Sequence, residues 1–371
     1  MTINWIDRAI GYVSPVAAAR RARARAYLDL VARRYEAAGG SRATYGWLTP
    51  ATSANAEIYG ALPILRTRAR DLARNNPHAA KAVTALVNNT IGSGIVARPK
   101  TGDQNLDRRI VGLWQDFVKE IDADGQLDFY GLQNLVARAF FESGEVLVRR
   151  RVRRADDGLQ VPLQYQVLEG DFLDHAKNED LANGQVRMGV EFNGIGRRRA
   201  YWMFPEHPGE GRYGAAARGK SRAVPADQIL HLYEKQRPGQ IRGVPWLTPV
   251  MLKLRELDDY EEAEIVRKRL EACVAAIVFG EEEEEQGIAP TVRDGAGNLI
   301  EQFEPGLIAY ARGGKDIKFT QPSVAGGYAE YKRAQLHTIA AGARVTYELL
   351  TGDLSQVNYS SIRAGLVEFR R

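Results

Sequence analysis

One stretch of the sequence has the residue types and the spacing of a phosphate-binding loop. Residues 214–221 read GAAARGKS and fit G-x-x-x-x-G-K-[ST], in which backbone amides and the lysine contact phosphates. Such a loop needs a buried apolar strand before it and a helix after it, whose N-terminus also faces the phosphate. Here PEHPGEGRY precedes the motif, and Pro225 lies four residues past Ser221. The flanks favour a flexible basic loop, and a P-loop ATPase or nucleic-acid motor using Gly219, Lys220 and Ser221 is the alternative.

Other residue types that carry chemistry are too scattered to form a recognisable site. The histidines lie far apart, without the H-E-x-x-H spacing of a zinc site, and no G-x-S-x-G motif is present. The single cysteine, Cys273, excludes an intrachain disulfide and fits a reducing compartment. We therefore expect no metal, no cofactor and no enzyme activity. The histidines are His78, His175, His207, His231 and His337.

Composition bounds the class of protein. The chain has 371 residues, of which 44% are hydrophobic, enough for two or three domains. It has no run of 18 apolar residues, so we expect no membrane span, and its first residues do not resemble a secretory signal. The net charge is +5, with arginines clustered at residues 20–25, 149–154 and 197–199 and acids clustered elsewhere. This separation indicates an anionic or nucleic-acid partner, although ordinary solubilising charge explains it equally well.

A long helix is the main element that would position charged residues. Thr248 is a predicted N-cap and Pro249 the first helical residue of a helix that continues to Cys273, roughly 37 Å long at 1.5 Å per residue. Apolar residues recur in it at helical spacing. They are Val250, Leu254, Leu257, Ile265, Val266, Leu270 and Cys273.

The middle of this helix is acidic, with few basic residues to neutralise it. One interpretation is a solvated outer face. The other is the wall of an aqueous passage, in which copies of the helix pack together and the acids face a polyanion. The acids are Glu256, Asp258, Asp259, Glu261, Glu262 and Glu264.

The remaining patterns predict a mixed α+β chain. We expect a polar loop over residues 40–60 and a Gly/Arg-rich loop over 206–226, and the last helix is still running at Arg371, so we expect further residues after it. Helices are expected at 16–38, 63–91, 105–120, 129–142, 328–349 and from 360 onward. Strands are expected in VLVRRRVRR, PLQYQVLE, RMGVEF, AYWMF, at 229–233, 274–279, 307–310 and 317–319.

Several segments, taken together and in their order along the chain, resemble the portal proteins of lambda-type tailed phages. They are ATYGW at 43–47, ARDLARNNPHAAKAV at 69–83, ILHLYEKQRPGQIRGVPWLTP at 229–249 and LTGDLSQVNYSSIRAGLVEFRR at 350–371. The resemblance covers essentially the whole chain. It implies a ring oligomer, usually a dodecamer, at one vertex of the capsid, and a non-enzymatic DNA conduit.

The resemblance also implies a division of the chain, in which a crown domain is missing. In chain order the parts are a wing at 1–247, a first stem helix at 248–273, a clip at 274–321, a second stem helix at 322–349, a tunnel loop at 350–359 and the start of the next helix at 360–371. The implied partners are double-stranded DNA, the large terminase subunit, the major capsid protein and a head–tail adaptor protein, in a virion assembled in the bacterial host cytoplasm, with no membrane.

Site residues follow from this resemblance. In a ring, each stem acid becomes a circle of negative charge that repels DNA phosphates, so that the duplex slides. The implied channel residues are Glu256, Asp259, Glu262, Glu330, Arg333 and His337, with Arg344 predicted on the same face of the second stem helix. The implied tunnel-loop residues are Thr351, Gly352, Asp353, Ser355, Gln356 and Asn358. The implied clip docking patch is Glu281, Glu282, Glu283, Glu284 and Glu285.

Each of these assignments has an alternative that the sequence leaves open. The tunnel loop is equally well an ordinary helix connector, and for residues 281–285 a solvated loop is the favoured interpretation over a docking patch. The arginine-rich strand at 149–154 is most simply a solvated or subunit-pairing face, with contact to capsid or DNA as the alternative. A simple nucleic-acid-binding module is a third functional class, and it would bind free duplex with a steep salt dependence.

Overall fold

The computed structural model describes most of the chain after residue 50. Residues 51–210, 220–269 and 327–370 are described with their side chains, together with positions 12, 14–17, 20, 23 and 49. The backbone alone is described for 270–280, 291–293, 299–301, 307–312 and 316–318. The chain divides into two compact units, Met1–Thr52 and Ser53–Arg371. Most of the predicted helix at 16–38, the segment 43–47 and the acidic run 281–285 lie outside the described residues.

Two helices occupy the stretch predicted as a polar loop followed by one helix. Helix α1 spans Ala54–Asn75 and helix α2 spans Pro77–Thr90. The prediction was wrong at both places. The Ser53 hydroxyl accepts from the Ala56 amide at 3.2 Å and starts α1 inside the expected loop. Asn76 has an extended backbone (ψ 121°), because a residue that precedes a proline disfavours helical backbone angles. It therefore ends α1, and its side chain caps α2.

The next two helices agree with prediction. Helix α3 spans Gln104–Glu120 and helix α4 spans Phe129–Ser143. Asp103 and Asp128 cap them through their carboxylates, and Gly144 ends α4 in a left-handed conformation with φ +82°.

Eight strands form two antiparallel sheets that share a core. The first sheet has the order β2-β1-β8, with β1 at Glu145–Val152, β2 at Leu163–Glu169 and β8 at Ile229–Tyr233. The second runs β3-β4-β5-β6-β7, namely Glu179–Leu181, Gly184–Arg187, Val190–Asn193, Arg198–Met203 and Arg222–Pro225. Leu147 packs with Val190 and Tyr201 between them. The single strand expected in RMGVEF is instead a hairpin, because Met188 and Gly189 turn with positive φ.

The long helix exists but begins differently from the prediction. Helix α5 spans Met251–Cys273, and a 3₁₀ turn at Thr248–Val250 precedes it. Thr248 is not an N-cap, because its hydroxyl donates to the Pro245 carbonyl at 2.6 Å. Among the side chains of the apolar pattern that the structure describes, those of the first part are buried: Leu254 and Leu257 are inside, whereas the predicted core residues Ile265 and Val266 are 50% and 46% exposed.

Short strands and three further helices complete the described chain. Strands β9 Val274–Gly280, β12 Leu307–Arg312 and β13 Asp316–Lys318 form a sheet of order β12-β9-β13, and β10 Thr291–Arg293 pairs with β11 Leu299–Glu301. Helices α6, α7 and α8 span Tyr328–Gly342, Tyr347–Thr351 and Tyr359–Phe369. The continuous helix predicted at 328–349 was wrong, because Arg344 adopts φ +57° and turns the chain between α6 and α7.

One core joins the helices of the larger unit. It takes residues from α1, α2, α4, α5, α6 and α7, so the long helix is anchored by its N-terminal half. Within the described helices, none has both the length and the apolar character needed to cross a membrane. The buried members that link α5 to its neighbours are Val83, Leu86, Leu254, Leu257, Leu336 and Ile339.

Candidate functional site

The acidic stripe of α5 lies on the side of the helix away from its packed face. Glu256, Asp259 and Glu262 recur every third residue and are all exposed. Buried Leu254 and Leu257 hold the opposite side against the core. Residues three apart lie near one another on a helix, so these three carboxylates form one continuous negative surface, which we call the α5 acidic stripe.

The other described acids of α5 have partners, and two of them are neutralised by basic residues, contrary to the expectation from sequence. The Asn76 amide donates to Asp258 at 2.8 Å, and Lys332 on α6 pairs with Glu261 at 2.7 Å. Arg267 pairs with Glu264 at 2.6 Å, and this hydrogen bond lowers the pKa of Glu264. Within the stripe, Asp259 has only a distant contact with Arg255, at 3.9 Å. Among the described residues, Glu256 and Glu262 form no ion pair.

Of the channel residues predicted on helix α6, one is exposed and two contact a neighbouring segment. Glu330 is exposed near the start of α6. Arg333 lies 3.7 Å from Asp353, and the His337 ring stacks on Tyr347 with the ring centres 4.2 Å apart. Arg333 and His337 therefore contact the segment that follows α6.

Arg344 was predicted to share a helix face with these residues, and the structure corrects this. It lies in the turn after α6, where it donates to Glu234 at 2.8 Å and lies over the Trp246 ring at 4.2 Å. Arg344 therefore holds the end of α6 against the segment that leads into α5.

The segment 350–359, assigned to the predicted tunnel loop, has helical residues at both of its ends. Thr351 is the last residue of α7, and Gly352 ends that helix with φ +76°. Asn358 caps α8 by accepting from the Ser361 amide at 2.9 Å. The irregular part therefore runs from 352 to 358. Inside it, Asp353 accepts from the Ser355 amide at 2.9 Å, which lowers the pKa of Asp353.

Within this irregular part, Ser355 and Gln356 are exposed, whereas Asp353 is half-buried between Arg333 and Tyr347. The Arg333–Asp353 contact brings the second predicted channel helix and the predicted tunnel loop together. The predicted clip docking patch, residues 281–285, lies outside the described part of the chain.

A buried ionic cluster was not predicted from the sequence. Glu145, at the start of β1, and Arg242 are completely buried, and Arg66 of α1 is 4% exposed. Arg66 pairs with Glu145 at 2.5 Å and Arg242 pairs with it at 2.6 Å. We call these three residues the Glu145 cluster. His231 and the Gly243 amide complete its hydrogen bonds, at 3.1 and 3.0 Å.

Charge complementarity keeps this cluster ionised. Burial alone would raise the pKa of Glu145, but the guanidinium groups of Arg242 and Arg66 hold it well below its ordinary value. Burial also lowers the pKa of His231, so that its ring is neutral at pH 7. The cluster joins α1, β1 and the segment before α5, and His231 links it to β8. It therefore fixes the sheets relative to the start of the long helix.

A group of possible metal ligands lies beside this cluster but does not fit a metal ion. Ligand atoms of Glu169, Asp171 and His207 lie within 4.8 Å of one another. Asp171 is already paired with Arg66 at 3.2 Å and Arg70 at 2.5 Å. The His207 Nδ1 accepts from the Gly209 amide, so the proton of a neutral ring is on Nε2, the nitrogen that faces Glu169. A ring nitrogen that carries a proton cannot bind a metal.

The described end of the phosphate-loop motif does not have the required geometry. Residues 214–219 lie outside the described part of the chain, whereas Lys220 is exposed and the Ser221 hydroxyl donates to Asp174 at 2.6 Å. The residues that follow form strand β7, which pairs with β6, and not a helix. No helix N-terminus therefore follows Ser221 to hold a phosphate.

Comparison with known proteins gives one consistent result. Residues 40–371 match the family described as "Phage portal protein, lambda family". The chain is 29% identical over 358 residues to a probable portal protein of Halomonas phage phiHAP-1, covering 91% of this chain and 67% of that protein. It is 24% identical to portal protein B of Escherichia phage lambda, covering 87% and 66%. The chain thus spans about two thirds of the length of these relatives.

Solved structures share the fold at low sequence identity. A chain of the virion of a native gene transfer agent particle aligns with a TM-score of 0.50 and 14% identity, covering 81% of this chain and 74% of that one. A chain from the neck of the empty particle, computed with C6 symmetry, aligns with a TM-score of 0.50 and 15% identity, covering 79% and 74%. This likeness concerns the fold alone.

Proposed function

We propose that this chain, which belongs to the lambda family of phage portal proteins, forms a ring at one vertex of a phage capsid and that DNA passes through this ring. The observation that carries the proposal is the family match over residues 40–371. The proposed ring is a dodecamer, with the wing at 1–247, the clip at 274–321 and the stem helices at 248–273 and 322–349. The chain itself carries no catalytic step in this proposal.

The α5 acidic stripe is the proposed lining of the passage. In a closed ring, each of Glu256, Asp259 and Glu262 is repeated around the axis as a circle of negative charge, which is tolerated only beside water. Tight phosphate contacts would hold the duplex in place, whereas a negative wall lets it slide. We propose Glu330, Arg333 and His337 as further channel residues and 350–359 as the tunnel loop beside the DNA.

The partners follow from this role and from the family. The large terminase subunit supplies ATP hydrolysis during packaging and docks at the clip, with residues 281–285 as the proposed contact. A head–tail adaptor protein replaces it when the head is complete, and the major capsid protein surrounds the wing. The proposed location is the portal vertex of a virion that is assembled in the host cytoplasm.

Charge reversal of the stripe tests the proposed lining. We expect the triple variant Glu256→Lys/Asp259→Lys/Glu262→Lys to form rings but to yield about tenfold fewer DNA-filled heads, because circles of lysine would hold the phosphates. Filled heads are counted by electron microscopy after complementation of a host that lacks the wild-type copy.

The matched control makes the same charge change at exposed acids outside the stem. Asp124→Lys/Glu206→Lys/Asp227→Lys should package normally, since these residues are exposed and, among the described residues, form no ion pair. Equal packaging by the two triple variants would mean that the stripe is an ordinary solvated face.

Lys220→Ala distinguishes the channel from the ATPase alternative. We expect this variant to package DNA at the wild-type level, because Lys220 is exposed and strand β7 takes the place of the helix that a phosphate loop needs. Packaged DNA and ATP hydrolysis by the purified protein are measured side by side. Hydrolysis by the wild type that disappears in Lys220→Ala would contradict the channel proposal.

A further inference from the structure

The strand β1 and the residues just after it carry arginines that lack acidic partners. Within the described part of the chain, none of these guanidinium groups lies within 4 Å of a carboxylate. Arg66 and Arg70, in contrast, are paired with acids. The unpaired residues are Arg149, Arg150, Arg151, Arg153 and Arg154.

Three of these arginines point to the same side of the sheet, and hydrogen bonds hold two of them in place. Arg149, Arg151 and Arg153 alternate along the strand, so their side chains leave the same face. The Arg151 Nε donates to Gln166 at 3.1 Å, and the Arg153 Nε donates to Gln164 at 2.8 Å. These bonds leave the terminal nitrogens of both guanidinium groups without a partner in the described chain. We call these three residues the arginine row.

The arginine row is electrostatically unfavourable without a ligand. Arg149 is half-buried, and its Nε has no hydrogen-bond partner among the described residues. Burial and the nearby charge of Arg151 both lower the pKa of Arg149. An anion beside the row would remove this repulsion.

We propose that the arginine row binds the phosphate backbone of double-stranded DNA. Residues two apart on an antiparallel strand are about 6.8 Å apart, a spacing that lets successive guanidinium groups of the row contact successive phosphates of one DNA strand. Free terminal nitrogens form the fork that matches phosphate oxygens. The proposal goes beyond the channel, because it assigns a DNA contact to a sheet and not to the helices that line the passage.

The chemistry of this face favours DNA over an acidic protein. On β2 the row faces the glutamines Gln166 and Gln164, and on β8 Arg149 faces Ile229, which is buried, so the accessible side chains along the row are polar. Protein–protein interfaces bury an apolar core that is depleted of charge. Protein–DNA interfaces are polar and strongly positive.

Salt-dependent binding of a short fluorescent duplex to the assembled protein tests this proposal. The triple variant Arg149→Gln/Arg151→Gln/Arg153→Gln should lower the slope of log affinity against log salt by about 2.7, since each phosphate contact contributes about 0.9. Near 0.1 M salt this corresponds to an affinity loss on the order of several hundredfold.

Two matched variants separate contact from net charge and from folding. Arg98→Gln/Arg108→Gln/Arg109→Gln removes the same charge from exposed arginines that have no ion pair in the described chain, and it should retain most of the slope. Replacement of the arginine row by lysines should retain the slope as well. An unchanged slope in the row variant, or an equal loss in the control, would overturn the proposal.

A competing ligand defines the remaining outcome. If an oligoglutamate peptide binds the row more tightly than the duplex does at the same salt concentration, the proposal is overturned and the face belongs to an acidic protein partner. Ring formation is scored separately on the same samples by electron microscopy. Failure of DNA binding with intact rings would therefore leave the channel proposal standing.

Discussion

Arg242→Ala is expected to lower the free energy of unfolding by about 3–5 kcal/mol. Arg242 is completely buried and donates to both carboxylate oxygens of Glu145, at distances between 2.6 and 3.0 Å. Its removal leaves a buried carboxylate with only Arg66 to balance it, and it also frees the Met188 and Gly170 carbonyls that Arg242 binds. Chemical denaturation at pH 7, with both proteins in the same assembly state, measures the difference.

The control removes an arginine from an exposed ion pair. Arg187 pairs with Asp180, which is 81% exposed, so Arg187→Ala should cost less than about 1 kcal/mol. Similar losses of stability in the two variants would mean that the buried position of Arg242 beside Glu145 is not the cause.

Acid should reduce the difference between the wild type and Arg242→Ala. The pKa of Glu145 is lower in the folded protein than in the unfolded chain, so its contribution to stability is present above the unfolded pKa. That contribution is lost as the pH falls through the folded pKa. The same denaturation curves recorded at decreasing pH should therefore converge.

Gly144→Ala is expected to destabilise the protein by about 3–5 kcal/mol. Gly144 has φ +82°, a conformation that residues with a Cβ rarely adopt. A Cβ at this position would lie 2.2 Å from the backbone carbon of Val244, and backbone cannot move aside as a flexible side chain does. The substitution therefore pushes the turn between α4 and β1 against the segment that leads into α5. Thermal and chemical unfolding measure the loss.

Gly158→Ala is the matched control for this substitution. Gly158 has a similar φ of +75°, but a Cβ there meets nothing within 4 Å. Gly158→Ala should therefore lose only the free energy that a left-handed backbone costs a residue with a Cβ, about 1–2 kcal/mol. Equal losses at the two positions would mean that the contact with Val244 is not the cause.

Local signals in the sequence were sufficient for part of the fold. Asp103 and Asp128 are N-caps before regular apolar patterns, and α3 and α4 were predicted almost to the residue. The break at Asn76 was missed because the apolar stripe continues through it, although an Asn-Pro pair favours a helix boundary. The turn at Arg344 has no such signal, since an arginine with positive φ is held by tertiary contacts with Glu234 and Trp246.

Part of the candidate site could likewise be predicted from the sequence, and part could not. The resemblance implied Glu256, Asp259 and Glu262 as channel residues, and the structure shows all three exposed on one side of α5, while their place in a channel stays a proposal. The Glu145 cluster could not be predicted, because Arg66 and Arg242 lie 79 and 97 residues from Glu145 in the chain. Pairing at such separations leaves no local pattern. The resemblance to lambda-type portal proteins, in contrast, was predicted from ordered motifs, and the family match confirms it.

The proposal that this chain forms a ring is tested most directly by the mass of the purified protein in solution. Light scattering measures the mass, and negative-stain imaging of the same sample shows the shape of the particles. The channel proposal predicts particles of many subunits, consistent with a dodecamer, that appear as rings with a central hole. A monomer or dimer whose mass does not change with concentration would contradict it.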